Sequence, residues 1–196
     1  MLKLFYAPQS RASTTLWLLE ELEQPYELEL VELSAPGGVP ESYRATQPHK
    51  KVPALLHDDA VITERAAIAI YLADRFPEKG LAPAVSDPAR GRYLTWVVYC
   101  DSVLDPAIAA KLQGWQYAPS SISFGTFEDM HANVERTLTR RPYIAGDTFS
   151  AADVQLGSAV FWARHTLGLF EQPVFDDYLA RLAARPGFQR YAKLSA

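Results

Sequence analysis

Tyr26-Glu27-Leu28-Glu29-Leu30-Val31-Glu32-Leu33 alternates apolar and acidic residues almost strictly. Successive side chains of a strand point to opposite faces, so this period of two predicts a half-buried β-strand over 26–33. Before it, Leu16, Leu19 and Leu22 recur at helical spacing, Glu20, Glu21 and Glu23 fall on other faces, and Pro25 stops the helix. Earlier still, Lys3-Leu4-Phe5-Tyr6 is a short apolar run ended by Ala7-Pro8, which reads as another strand. After residue 33, Ala35-Pro36-Gly37-Gly38-Val39-Pro40 is a loop, and 41–47 suits a short helix. Val52-Pro53-Ala54-Leu55-Leu56 and Ala60-Val61-Ile62 flank His57-Asp58-Asp59 and read as a hairpin. Thr63 is the candidate N-cap of a helix marked by Ala67, Ile68, Tyr71, Leu72 and Phe76 and stopped by Pro77. The order is βαβαββα, an α+β domain with a small mixed sheet and helices on its faces.

Pro77, Gly80, Pro83 and Pro88 mark a linker. The expected domains are therefore 1–77, a linker at 78–87, and 88–196. Strand patterning disappears in the last of these. Helical segments are expected over 88–116, 121–139, 150–167, 174–184 and 186–194, which makes an all-α helical bundle. Phe149-Ser150-Ala151-Ala152-Asp153-Val154 is a variant capping box with Asp in place of Glu or Gln, and Phe149 and Val154 occupy the staple positions. Its meaning is structural, since it starts a buried helix.

Composition narrows the function. The 196-residue chain is 48% apolar, enough for a substantial core, and carries a net charge of −4. Lys50-Lys51 and Arg140-Arg141 are its only tight basic groupings, too narrow a footprint for nucleic acid. A single cysteine, Cys100, forbids an intrachain disulfide and offers no zinc cluster, so no metal is expected. The N-terminal stretch lacks a signal peptide's long apolar run, and Ala66–Ala73, the most apolar window, is too short to span a bilayer. A cytoplasmic protein is the default.

Over essentially its whole length the chain resembles the cytosolic glutathione transferase family. Four features carry the resemblance: Leu4-Phe5-Tyr6-Ala7-Pro8-Gln9-Ser10 leading into Leu16-Trp17-Leu18-Leu19-Glu20-Glu21-Leu22; Lys51-Val52-Pro53-Ala54-Leu55; Ile62-Thr63-Glu64-Arg65-Ala66-Ala67-Ile68; and the capping segment at 149–153. Their order and spacing together make the match, and within the family the chain looks like a bacterial, serine-type member. The resemblance implies a thioredoxin-like N-terminal domain that holds glutathione as co-substrate. It implies a helical domain that holds a small apolar electrophile in a site facing the sulfur. It also implies a homodimer, with Asp101 where a neighbouring subunit's acid approaches the glutathione.

A transferase must favour the thiolate of glutathione, which is the nucleophile. The turn Pro8-Gln9-Ser10-Arg11 has no thiol, which removes dithiol redox chemistry. Ser10 matches the serine of serine-type members and could donate to the sulfur; helix capping is its alternative role. Tyr6 stands at the position of the catalytic tyrosine in tyrosine-type members, with packing as the alternative. Arg11, where cysteine-type members place their thiol, argues against that subtype, and Ser13 is a remote further candidate. The resemblance assigns the backbone pairing of glutathione to Val52 before a cis Pro53, the glycyl carboxylate to Lys51, and the γ-glutamyl ammonium to Glu64. Arg65 departs from the family's serine and could pair the γ-glutamyl carboxylate, point away and leave only its backbone N–H, or obstruct the site. Trp96, Tyr99, Trp115, Tyr117 and Trp162 are candidate aromatics for the electrophile pocket. Peroxide reduction and dehalogenation by glutathione use the same machinery. A catalytically silent binding module is the alternative from another class.

Overall fold

The computed structural model describes residues 1–195, so Ala196, the last residue of the expected helical domain, lies outside the described residues. The chain divides into two compact units: Met1–Lys79 joined by the chain from Arg185 onward, and Gly80–Ala184.

The first unit is built on a four-stranded sheet, β1 (Leu2–Tyr6), β2 (Tyr26–Leu30), β3 (Ala54–His57) and β4 (Ala60–Thr63), in the order β2-β1-β3-β4. β2 runs parallel to β1, while β3 is antiparallel to both β1 and β4. Helices α1 (Ala12–Leu22) and α2 (Arg65–Arg75) complete the thioredoxin-like arrangement expected from the sequence. Leu4, Leu16, Trp17, Leu19, Leu22, Leu55, Ile68 and Leu72 are its fully buried large side chains. Each such burial stabilises the unit by about 1.5–3 kcal/mol. A second apolar cluster of Phe5, Val31, Val39 and Ala54 is joined by Tyr43, Val52 and Leu56. The short helix expected near 41–47 is a 3₁₀ turn, Glu41–Ala45.

Two local expectations change. The strand expected over 26–33 ends at Leu30 and is not half buried, since Leu28, Leu30 and Leu33 are 41%, 71% and 41% exposed. β2 is the sheet's edge, so it has one neighbour, and its acidic residues face Lys3, which pairs with Glu27 at 3.6 Å and Glu29 at 3.2 Å. Thr63 is not the cap of α2. It still pairs with Ala54 at the end of β4, and the chain turns one residue later at Glu64.

The last helix, α8 (Pro186–Leu194), was expected with the helical half and instead belongs to the first unit. It packs on α1, where the Trp17 ring meets Phe188 edge-on at 5.0 Å and stacks on Tyr191 at 6.3 Å. The Arg185 guanidinium forks onto Glu21 at 3.1 and 2.9 Å, and Arg190 donates to Glu20 at 3.1 Å. The glutamates that read as the outer face of α1 are thus the receptors for α8.

The second unit is all helical: α3 (Ala89–Tyr99), α4 (Asp105–Leu112), α5 (Phe127–Arg140), α6 (Ala151–Leu167) and α7 (Pro173–Ala183). The single helix expected over 88–116 is interrupted by a π turn, Cys100–Leu104, in which Asp105 N–H donates to Cys100 O. Pro106 follows directly and has no N–H for an ordinary helical bond, so the wider turn takes up the mismatch. α6 is the unit's most enclosed helix and packs against α3 and α7.

The capping box at its start is formed. Ser150 N–H donates to Asp153 Oδ2 at 2.9 Å, and the Ser150 hydroxyl donates to the same oxygen at 3.1 Å. Asp153 Oδ1 accepts from Ile144 N–H at 2.8 Å and the Tyr178 hydroxyl at 3.0 Å. Burial raises the Asp153 carboxyl to about 6 against the pull of these four donors. Among the described residues, no helix is long and apolar enough to cross a membrane.

Candidate active site

The strand register decides which scattered residues meet. Phe5 pairs with Ala54, and Ala54 pairs with Thr63. One row across the sheet therefore contains the end of β1, the start of β3 and the end of β4. The residues just beyond that row are Tyr6 and its following turn, Pro53, and Glu64. Neighbouring strands lie about 4.8 Å apart, so three segments up to 58 positions apart in the chain converge on one end of one sheet.

The first segment carries Ser10. Its hydroxyl donates to Ala7 O at 2.6 Å and accepts from Ala12 N–H at 3.1 Å, so it caps the entry to α1. Gln9 before it turns through φ 52°, which lifts the serine to the helix N-terminus. Tyr6 is buried, and its backbone carbonyl accepts from Val31 N–H at 2.8 Å.

The second segment is Lys51-Val52-Pro53. The Val52–Pro53 peptide is cis, as the resemblance implies. Pro53 is buried, Val52 packs against the Phe5 cluster, and Lys51 is exposed. Two residues that the sequence did not single out shape this loop. Gln47 is only 3% exposed and accepts from His49 N–H at 2.7 Å and Lys51 N–H at 3.0 Å through one side-chain oxygen. The Tyr43 hydroxyl donates to Lys51 O at 3.1 Å. No periodic pattern surrounds Gln47, so its burial left no signal to read.

The third segment is Glu64-Arg65. Glu64 sits at the N-cap position of α2 with φ 66° and ψ 125°, a left-handed conformation that costs a non-glycine residue about 1–3 kcal/mol. Its carbonyl accepts the first bond of the helix, from Ile68 N–H at 2.9 Å, and its side chain is exposed. Arg65 turns the other way and is buried, at 6% exposure.

The remaining candidates lie in the second unit. Trp96 is buried and packs on Tyr99 at 4.8 Å, so it is core. Tyr117 is tied to Gly125 O at 3.2 Å, while Trp115 and Trp162 are exposed. Asp101 lies in the π turn.

Residues 4–80 match the model of the glutathione S-transferase N-terminal domain. Those residues are a glutathione S-transferase N-terminal domain, and over its length the chain is similar to glutathione transferases. Glutathione S-transferase GstA of Escherichia coli O157:H7 is 29% identical over 196 residues, covering 96% of each chain. A glutathione transferase from Methylococcus capsulatus superposes with a TM-score of 0.83 at 29% identity, over 100% of this chain and 98% of that one. A sphingomonad glutathione S-transferase solved in complex with glutathione gives a TM-score of 0.81 at 26% identity, covering 98% of both chains. The chain thus shares the fold of these transferases, with Arg65 buried in its first unit.

Proposed function

We propose that this transferase binds glutathione at the converging end of its sheet and conjugates it to small apolar electrophiles, with Ser10 as the donor to the thiolate. The observation that carries the reading is the shared sheet row that brings Ser10, Val52-Pro53 and Glu64 to one end of the first unit. Val52 would pair with the cysteinyl backbone as a strand edge does. Lys51 would take the glycyl carboxylate and Glu64 the γ-glutamyl ammonium, while the start of α2 favours the adjacent carboxylate. Arg65, being buried, adds positive charge behind that carboxylate without occupying its place.

In the reaction the sulfur gives up its proton to solvent and attacks the electrophilic carbon. A C–S bond forms, and the leaving group departs with its electron pair. Ser10's part is to hold the thiolate. The hydroxyl must swing from Ala7 O to the sulfur while still accepting from Ala12 N–H. Lowering a thiol pKa by one unit takes about 1.4 kcal/mol, within reach of one hydrogen bond and a helix N-terminus. The burial of Tyr6 supports packing as its role.

The test is glutathione calorimetry paired with conjugation of a chloronitrobenzene. Ser10→Ala should lower kcat/KM about 10- to 100-fold and raise the pH midpoint of the rate. Tyr6→Phe should stay within about twofold of wild type. A larger loss in Tyr6→Phe moves the donor role to the phenol. Absence of glutathione binding by the wild type removes the reading and leaves a silent module.

We also place the protein in the cytoplasm as a homodimer. Ala67, Ile70, Tyr71, Asp74 and Arg75 on α2 line a mostly apolar hollow of about 610 Å³, the kind of surface that a partner covers. Sedimentation should show twice the 21.8 kDa chain mass. A monomer at all concentrations ends the proposal.

A further inference from the structure

We propose that Gln47 is a positioning residue for glutathione, holding the Lys51-Val52 backbone in the geometry that lets the bound tripeptide add to it as an edge strand. This rests on the function proposed above.

Glutamine is mostly a surface residue, and here it is 3% exposed between exposed neighbours such as Arg44, Pro48, His49 and Lys51. Its side-chain oxygen collects two amides of the loop, His49 N–H at 2.7 Å and Lys51 N–H at 3.0 Å. Its backbone carbonyl takes the amide between them, Lys50 N–H, at 2.9 Å. All three amides between Pro48 and Val52 are therefore drawn inward onto one residue. From the other side, Tyr43 donates its hydroxyl to Lys51 O at 3.1 Å while its ring rests on Phe5 at 5.5 Å. Burial pushes the Tyr43 phenol up to about 12, so it remains a donor at neutral pH. Lys50 takes the left-handed bend, φ 55°, and pins its Nζ to Val39 O at 2.8 Å and Glu41 at 2.7 Å.

The consequence is at Val52. Among the described residues, no backbone hydrogen bond outside the strands ends on it, and the β3 ladder starts beyond it at Ala54. The three amides before Val52 and the Lys51 carbonyl are thus satisfied within the loop and its packing, and Val52 itself is left to face a ligand. Hydrogen bonds weaken steeply with misalignment, and an edge that shifts by about 1 Å no longer pairs well. Gln47 touches no substrate in this scheme. It acts through Lys51 and Val52, so its loss should be felt in glutathione binding and not in the chemical step.

Gln47→Met matches the side chain's length and removes the acceptor, whereas Gln47→Glu keeps an oxygen in place. With full-length protein and glutathione, Gln47→Met should weaken binding about tenfold and raise the glutathione KM by the same factor. Its kcat at saturating glutathione, and its KM for the chloronitrobenzene, should stay within about twofold. Gln47→Glu should recover most of the affinity. Wild-type affinity in Gln47→Met, with only a lower melting temperature, makes the residue merely structural and overturns the proposal. So does a fall in kcat at unchanged KM. If Gln47→Met does not fold, Tyr43→Phe decides, because it frees Lys51 O from the opposite side. About threefold weaker binding is then expected, and unchanged binding overturns the proposal. No glutathione binding by the wild type overturns the proposed function as well. Wild-type binding with an unaffected Gln47→Met overturns the role of Gln47 alone.

Discussion

Asp153→Ala is expected to cost the transferase about 3–5 kcal/mol of stability at neutral pH, read as a fall of roughly 10 °C in Tm. The carboxylate is fully enclosed and serves four donors: Ile144 N–H, Ser150 N–H, the Ser150 hydroxyl and the Tyr178 hydroxyl. Alanine leaves all four buried donors without their acceptor, each carrying a desolvation cost of about 1–3 kcal/mol, offset in part by relief of a buried charge. It also unties α6 from the Ile144 loop and from α7 together. Asp153→Asn keeps the shape, but its amide turns a donor toward two other donors, so a smaller loss is expected. The pH dependence has a definite sign. The folded carboxyl sits at about 6, above an ordinary aspartate's value of about 3.9, so the folded state takes up this proton first as pH falls. Asp153 therefore adds stability as pH drops from about 6.5 towards 4, and that increment is lost as pH rises through 6. The full increment is about 3 kcal/mol. Urea midpoints at pH 4.5 and 7 should show wild type gaining on Asp153→Asn at the lower pH. A constant gap would mean that the carboxyl titrates normally.

The second large effect is expected where α8 meets α1. Glu21 has a side chain only 4% exposed and is held by a two-bond fork from Arg185 and by the Trp17 indole N–H at 2.9 Å. Arg185→Ala strands that carboxylate. Breaking a buried pair costs about 3–5 kcal/mol, and because Arg185 is itself partly solvated about 2–3 kcal/mol is expected. Arg185→Lys keeps the charge and loses the fork, so it should fall between. Gly187 supplies an independent check. A Cβ there would lie 2.4 Å from Glu21 Cδ, and Glu21 cannot step aside without leaving Trp17 and Arg185. Gly187→Ala should therefore cost about 1–3 kcal/mol by overpacking, and it should raise hydrogen exchange in α8 before the rest of the first unit. Denaturant midpoints within about 0.5 kcal/mol of wild type for both variants would show that α8 rides on α1 without holding it.

Much of this molecule was legible in the chain itself. The strand and helix order up to Pro77, the disappearance of strand patterning beyond it, and the capping box at Ser150 follow from local periods and punctuation, because those signals act within a few residues. The candidate site was legible only through resemblance. Ser10, Val52-Pro53 and Glu64 have nothing local in common, and their meeting depends on the β1–β3–β4 register.

What the sequence determined alone was therefore what short-range physics controls: where helices and strands begin and stop, and which turn lacks a thiol. Tertiary structure decided the rest. It left Leu28 and Leu30 exposed because β2 is an edge with one neighbour. It moved α8 to the first unit because Glu20 and Glu21 find arginines more than 160 positions away. It buried Gln47 because one oxygen there satisfies two amides of a loop that no periodic pattern describes. For α8 the deciding partner is distant in the chain, for Gln47 it is a loop whose path no local period sets, and in both the cost of a buried group is set by whether its partner arrives.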